Sequence, residues 1–389
     1  MQNRIIQFFT IDVDYKNRIY GFDIMRGIGI LIVVYAHGRS FMQYFPSFNN
    51  FISVLGFWLM DLFFVLSGYL IGMILIKFYE KEKTFSLKTA YNFWIRRWFR
   101  TLPNYYLALF VTAILWAIAG NNMFAKPFFY THLLFFQTVT RPPGYFLMES
   151  WTLCIEEWFY LLFPVILIIG NKLLASTTNN FHIKKNVFIS ILILFSIPFF
   201  LRILLYTDQI HLQWMDSSRM VFFRLDTIAT GIFMSWIAFY YKDILSKHRN
   251  IFGILFIVFM SFYLFLFYSS ILPNLINNTI EPNFNTCFGI FLVSNVACFC
   301  LTVYMKEVKM KTPNWFVKFI TLISLISYSM YIFHRSVVFY LLDIFFKPTT
   351  ILENVSVFML YLISTILLSI IVYKYFEHPM TELREKMKR

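Results

Sequence analysis

Ten apolar runs, each close to twenty residues long, recur along this chain at 22–38, 52–77, 99–119, 151–170, 187–205, 220–240, 251–271, 287–305, 319–341 and 352–373. Runs of that length match the hydrocarbon core of a bilayer, where a spanning backbone must satisfy its own polar groups as helix or closed barrel. The chain therefore reads as all-α, a polytopic membrane helix bundle of about ten transmembrane helices. Composition agrees, with 59% hydrophobic residues and 14% charged, against about a quarter charged in soluble domains. The apolar piece from Phe128 to Val139 is too short to cross. It reads as an interfacial or re-entrant segment closed by Arg141, Pro142, Pro143 and Gly144.

A formal net charge of +14 raises nucleic acid as a partner, but Lys and Arg fall in short clusters between apolar runs and form no long basic tract. Their distribution reports topology instead, and no nucleic acid is expected. Taken in order from the N-terminal arm, the odd-numbered connections hold 25 Lys and Arg and the even-numbered ones 5. By the positive-inside rule both termini are expected in the cytoplasm. The expected division is a cytoplasmic arm over 1–19, a membrane domain over 20–376 and a cytoplasmic tail over 377–389, with no soluble catalytic module and no internal repeat. No small-residue cleavage site follows the first apolar run, so the first helix is expected to be retained. Cys154, Cys287, Cys298 and Cys300 form no CxxC pair and lack histidines at zinc spacing. They read as small buried hydrophobes, and no metal is expected.

Arg26, Arg202, Arg224 and Arg335 lie inside the apolar runs, whereas Lys77 and Arg100 stand at run ends. A charge at bilayer depth costs about 2.5–3.5 kcal/mol on insertion scales and usually faces a bundle interior or a water-filled path. Arg26 and His37 are eleven residues apart on the first span, which places them within roughly 20° of one face and about 16–17 Å apart along the axis. That face carries a cation in one half of the membrane and an imidazole near the other surface. A snorkelling arginine with a histidine at headgroup level is the alternative. With orientation assigned, His37, Glu156, Glu157, Arg202, Arg224, His334 and Arg335 collect toward the outer leaflet, as the wall of a shared polar cavity would. Asp61 falls at mid-depth.

On the ninth span Ser324, Ser327, Tyr331 and His334 recur at i+3 and i+4 and share a face. They read as interhelical hydrogen-bond glue or as a cavity wall. Ser67, Gly68 and Gly72 offer a surface for close helix packing. Arg97 and Arg100 share a face at the start of the third span, where two guanidinium forks could hold phosphates or simply anchor the helix. A histidine with nearby carboxylates is the minimum for general-base catalysis, and neither G-x-S-x-G nor a Walker loop is present. Intramembrane charges also mark transport paths, so a membrane transporter is the rival class.

In chain order from about Tyr20 to Pro379, FDIMRGIGILIVVYAH, MDLFFVLSGYLIG, RRWFR with LPNYY, ESWTLCIEEWFYLLFP, SYSMYIFH and YKYFEHP resemble the successive signatures of the integral-membrane acyltransferase 3 family, the bacterial O-acetylase type. The resemblance implies an O-acetyltransferase of the bacterial cytoplasmic membrane, carrying acetyl groups from cytoplasmic acetyl-CoA to hydroxyls of a surface or exported carbohydrate. Succinyl or another acyl group is the alternative. It maps the family's arginine-to-histidine pair onto Arg26 and His37, with His37 as catalytic base, and its paired arginines onto Arg97 and Arg100, holding the donor's phosphates. Glu156 would orient a base or the acceptor, and Asp61 belongs to the second signature. His334, Tyr331 and Arg335 are assigned to the acceptor. Thr152 stands where serine is common, and Arg335 follows His334 where proline is frequent, leaving the role of His334 open. Some relatives carry a C-terminal extracytoplasmic esterase-like domain, which is not expected after Arg389.

Overall fold

The computed structural model describes residues 11, 13–15, 18–174, 181–273, 280, 282–309 and 314–386. Among the described residues there is no strand, and nine helices are long and apolar enough to cross a membrane. We number the apolar helices of the bundle α1 (Tyr20–Gly38), α2 (Pro46–Glu82), α3 (Leu87–Ile118), α4 (Ser150–Leu174), α5 (Phe181–Tyr206), α6 (Leu225–Tyr240), α7 (Arg249–Leu266), α8 (Ile290–Lys306), α9 (Trp315–Phe333) and α10 (Ile351–Val372). The expected ten spans thus appear as nine long helices and one, α6, of 16 residues. The run at 220–240 was read too long because its first residues, Val221–Phe223, coil as a 3-10 turn. The segment after α3 forms only the seven-residue helix Pro127–Leu133, too short to span.

Local chemistry sets the helix ends. Ser86 caps α3 by accepting from Thr89 N at 3.3 Å, and Asn314 caps α9 by accepting from Val317 N at 3.0 Å. Thr350 and Glu353 form a reciprocal capping box on α10. Pro46 stands in the first turn of α2, and Lys83, at φ 59°, ends it in a left-handed cap. Beyond α9 and α10 the chain continues through wide π turns, His334–Phe339 and Tyr373–Glu377, into the short helices Tyr340–Phe345 and His378–Lys386. Such turns re-aim side chains and concentrate at functional sites.

Two close crossings set the bundle. A Cβ on Gly68 would sit 2.1 Å from Ile228 O, and one on Gly231 would sit 2.0 Å from Val65 O, so α2 and α6 meet backbone to backbone. A Cβ on Gly27 would sit 2.9 Å from Ile320 O, which brings α1 against α9. Flanking these, two buried ion pairs tie α2, α5, α6 and α8. Arg202 donates to Asp226 at 2.7 and 3.1 Å and to Phe223 O at 2.6 Å. Arg224 pairs with Asp61, whose Oδ2 accepts Ser294 Oγ at 2.5 Å. The expectation that Arg202 and Arg224 help wall a shared cavity toward the outer leaflet is therefore corrected. Arg202, Arg224 and Asp61 neutralise one another and their neighbours inside the helix packing, because unpaired charge there would be costly.

Candidate active site

The start of α1 and the last turns of the chain line one opening: Arg18, Asp23, Arg26, Arg100, Ser324, Tyr373 and Glu377 all border it. Both ends of the bundle thus emerge on one face, termed here the terminal face. The opening shares Arg26, Arg100, Ser324 and Glu377 with a deeper cavity reaching Arg97, Glu156, Thr152 and Tyr331. Counting its mouth and the open solvent there, the deeper cavity holds about 980 Å³ of space not filled by protein atoms.

Four arginines, Arg18, Arg26, Arg97 and Arg100, border this cavity or its mouth, in different electrostatic states. Arg97 Nη2 donates to Glu156 Oε2 and to the Tyr160 hydroxyl, both at 2.9 Å, and its guanidinium lies 4.3 Å from the Tyr160 ring centroid. Tyr160 donates in turn to Glu156 Oε2 at 3.0 Å and lies 2.5 Å from Ser67 Oγ. Arg97 is therefore neutralised and fixed. Arg18 is likewise consumed by Asp23, at 2.5 and 2.6 Å, and Ser324 Oγ donates to the same carboxylate at 2.8 Å. Arg26 has neither an ion-pair nor a hydrogen-bond partner among the described residues, and it faces both the cavity and its mouth. Near Arg100, Glu377 accepts Ser329 Oγ at 2.6 Å and Asn104 Nδ2 at 3.1 Å. Glu157, next to Glu156, turns instead to Thr101 Oγ1 at 2.9 Å.

At its deep end the cavity meets Tyr331, which donates to Glu149 O at 2.8 Å and lies 2.7 Å from Thr152 Oγ1. The Tyr331 ring centroid is 6.0 Å from that of His334, and His334 Nε2 lies 2.9 Å from His37 Nδ1. The proton positions follow from the partners. His334 Nδ1 faces two carbonyl oxygens, Met330 O at 3.0 Å and Tyr331 O at 2.8 Å. Carbonyls only accept, so Nδ1 carries the hydrogen and the Nε2 of neutral His334 is an acceptor. His37 Nδ1–H must then donate to it, which leaves the lone pair of His37 Nε2 free. His334 is fully buried and His37 partly exposed, so the buried ring fixes the tautomer of the accessible one. A third histidine, His132, has both ring nitrogens against carbonyls, Phe128 O at 3.0 Å and Phe146 O at 3.1 Å. It offers no comparable lone pair.

Two contacts stiffen the His334 turn. Ser336 N and Oγ donate to the Glu149 carboxylate at 3.2 and 2.7 Å. After His334, the charges acting most on His37 are those of Arg335, Arg219 and Arg39. Burial, and then the neighbouring Arg335, lower the Arg219 guanidinium below its ordinary pKa.

The residues singled out from sequence thus divide. Arg26, Arg97, Arg100, Glu156 and Tyr331 share the cavity; His37, His334 and Arg335 gather beyond it; Asp61 does not line it. Glu156 contacts Arg97, not a histidine. Sequence reasoning left out Asp23, Glu149, Tyr160, Glu377 and Ser336. Glu149, Tyr160 and Glu377 stand within the signatures quoted above, but no spacing rule ties them to partners on other helices.

Fold and site together define a polytopic helical membrane protein whose polar cavity runs from an arginine-lined mouth to Tyr331, with a histidine pair beyond it. The acyltransferase 3 family model, described as an acyltransferase domain, matches residues 19–374, and the chain belongs to that family. It is 30% identical over 172 residues to a Bacillus subtilis (strain 168) protein named "Putative peptidoglycan O-acetyltransferase YrhL", covering 40% of this chain and 25% of that one. It is 33% identical over 169 residues to "Putative O-acetyltransferase SACOL0978" of Staphylococcus aureus (strain COL), covering 40% and 26%. It is 30% identical over 166 residues to "Peptidoglycan O-acetyltransferase OatA" of Listeria monocytogenes (serovar 1/2a, strain EGD-e), covering 39% and 24%. The match spans about a quarter of the length of these curated relatives. No solved structure matches the chain.

Proposed function

We propose that this chain is a multi-pass O-acyltransferase of the bacterial cytoplasmic membrane, moving an acetyl group from cytoplasmic acetyl-CoA to a hydroxyl of a cell-surface or exported carbohydrate. Family membership and the relatives named as O-acetyltransferases support the reaction class. The Lys and Arg excess on the terminal face supports a cytoplasmic mouth. The observation that carries the reading is the cavity itself, which opens beside Arg26 and Arg100 and ends one helical turn of α9 short of the His334–His37 pair.

In this reading the donor's phosphates bind Arg26 and Arg100 at the mouth, where Arg26 makes no ion pair among the described residues. Arg97, locked to Glu156 and Tyr160, shapes the cavity wall rather than acting as a free cation. The thioester extends inward toward Tyr331. At the opposite face His37 Nε2 removes the proton from an acceptor hydroxyl, whose oxygen attacks the thioester carbonyl. The C–S bond breaks, the acyl group becomes an ester of the carbohydrate, and the thiolate takes up the proton. His334 holds His37 in the tautomer that can accept that proton. Sealed membrane vesicles of both orientations test the sidedness. Acetyl-CoA added outside should be consumed only when the terminal face is outward; consumption from the opposite face alone would refute the arrangement.

A further inference from the structure

His37 does not stand in neutral surroundings. Arg39 follows it by two residues, Arg335 follows its partner His334 directly, and Arg219 comes in from the turn between α5 and α6. Arg335 stands between the other two in effect: it is among the charges felt by both Arg39 and Arg219, and all three act on the imidazole. Two carboxylates answer them. Glu149 is already engaged by Ser336 N and Oγ, and Asp216 acts on Arg219 without reaching ion-pair distance. Among the described residues, neither Arg219 nor Arg335 has an ion-pair or hydrogen-bond partner for its guanidinium, and Arg39 has only Ser53 Oγ, at 2.6 Å. Charges that merely needed housing are treated differently in this bundle, since Arg202 and Arg224 each meet a carboxylate directly. Arg39 is exposed at the face opposite the mouth, so the cluster is reachable from the acceptor's side.

We propose that Arg39, Arg219 and Arg335 form an anion subsite beside His37, and that the acceptor is an acidic carbohydrate bearing a carboxylate or phosphate close to the acylated hydroxyl. This deepens the acyl-transfer reading and rests on it for the word acceptor. Guanidinium forks match the planar carboxylate and the phosphate alike. An anion seated there relieves the mutual repulsion of three cations and holds the sugar at a fixed offset from His37 Nε2. A neutral sugar would leave that repulsion unrelieved and would be held less tightly.

Equilibrium binding to the purified full chain in detergent tests this without requiring turnover. The probes are an oligogalacturonate, its carboxyl-reduced neutral counterpart and a phosphoglycerol oligomer. The acidic probe that fits, carboxylate or phosphate, should bind roughly 10- to 100-fold more tightly than the neutral one, the worth of hydrogen bonds to a charged group. High salt should shrink the advantage. Arg219→Gln and Arg335→Gln should each remove most of it, while Arg335→Lys should retain part of it and serve as the folded variant. Lys347→Gln removes one exposed charge on the same side, paired to Asp343, and should leave the preference intact. Equal binding of acidic and neutral probes, or a preference untouched by both glutamine variants, overturns the inference. So does a preference for free succinate over every glycan probe, which would assign the cluster to a dicarboxylic acyl group. Anion binding without any acyl transfer would instead leave the subsite standing and refute the proposed reaction.

Discussion

Replacing His334 by alanine removes the side chain that accepts from His37 Nδ1 at 2.9 Å while leaving the acid–base group itself in place. The magnitude follows from that one hydrogen bond. A net worth of about 0.5–1.5 kcal/mol converts to a loss of up to about tenfold in the population of His37 with Nε2 free. Removing His37 deletes the base outright, and general-base catalysis contributes typically 10²–10⁴-fold. The expected order is therefore a fall in kcat of up to about tenfold for His334→Ala, at least about a hundredfold for His37→Ala, and no further fall when both are combined, because one residue acts through the other. The assay is acetyl transfer from labelled acetyl-CoA in vesicles, at matched protein levels. Thermal unfolding serves as a control for the cavity left by a fully buried ring. A His334→Ala protein with wild-type kcat, or a double variant tenfold worse than His37→Ala, refutes the tautomer argument.

Arg97→Gln leaves Glu156 without its ion-pair partner in the cavity proposed for the donor; it should raise KM for acetyl-CoA, and adding Glu156→Gln should recover most of the loss, as donor titrations of the single and double variants will show. Asp61→Asn strips Arg224 of its buried counter-charge and should destabilise the fold by about 3–5 kcal/mol, read as a loss of folded protein and of unfolding temperature, while the KM of the folded fraction for donor stays near wild type. Gly68→Leu forces a side chain into the backbone of α6, where even a Cβ would lie 2.1 Å from Ile228 O, and should abolish folded yield in size-exclusion profiles; a normal profile would contradict the crossing.

What the sequence disclosed and what it withheld divide along a physical line. Spans were legible because the bilayer demands a certain length of apolar helix, and the α6 error arose where a 3-10 turn continues an apolar run. The shared face of Arg26 and His37, the polar stripe of α9 and the small-residue surface around Gly68 were legible because helical period alone decides them. Partners across helices were not. His37 meets a residue 297 positions away, and Asp61 belongs to Arg224 rather than to the cavity. Depth assigned from orientation treated these charges as equivalent. Depth does not say which charges face each other, and the bundle sorts them into buried ion pairs on one flank and groups that line the cavity or lie beyond it.

The central claim is that His37 drives acetyl transfer to a carbohydrate hydroxyl at the face opposite the donor. Its most direct test is mass spectrometry of the surface glycans of cells fed isotopically labelled acetate, with the intact chain, without it, and with His37→Ala at equal expression. The account predicts a labelled increment of one acetyl on a glycan in the first culture only. A full increment with His37→Ala, or none on any glycan from cells holding correctly inserted protein, would contradict it.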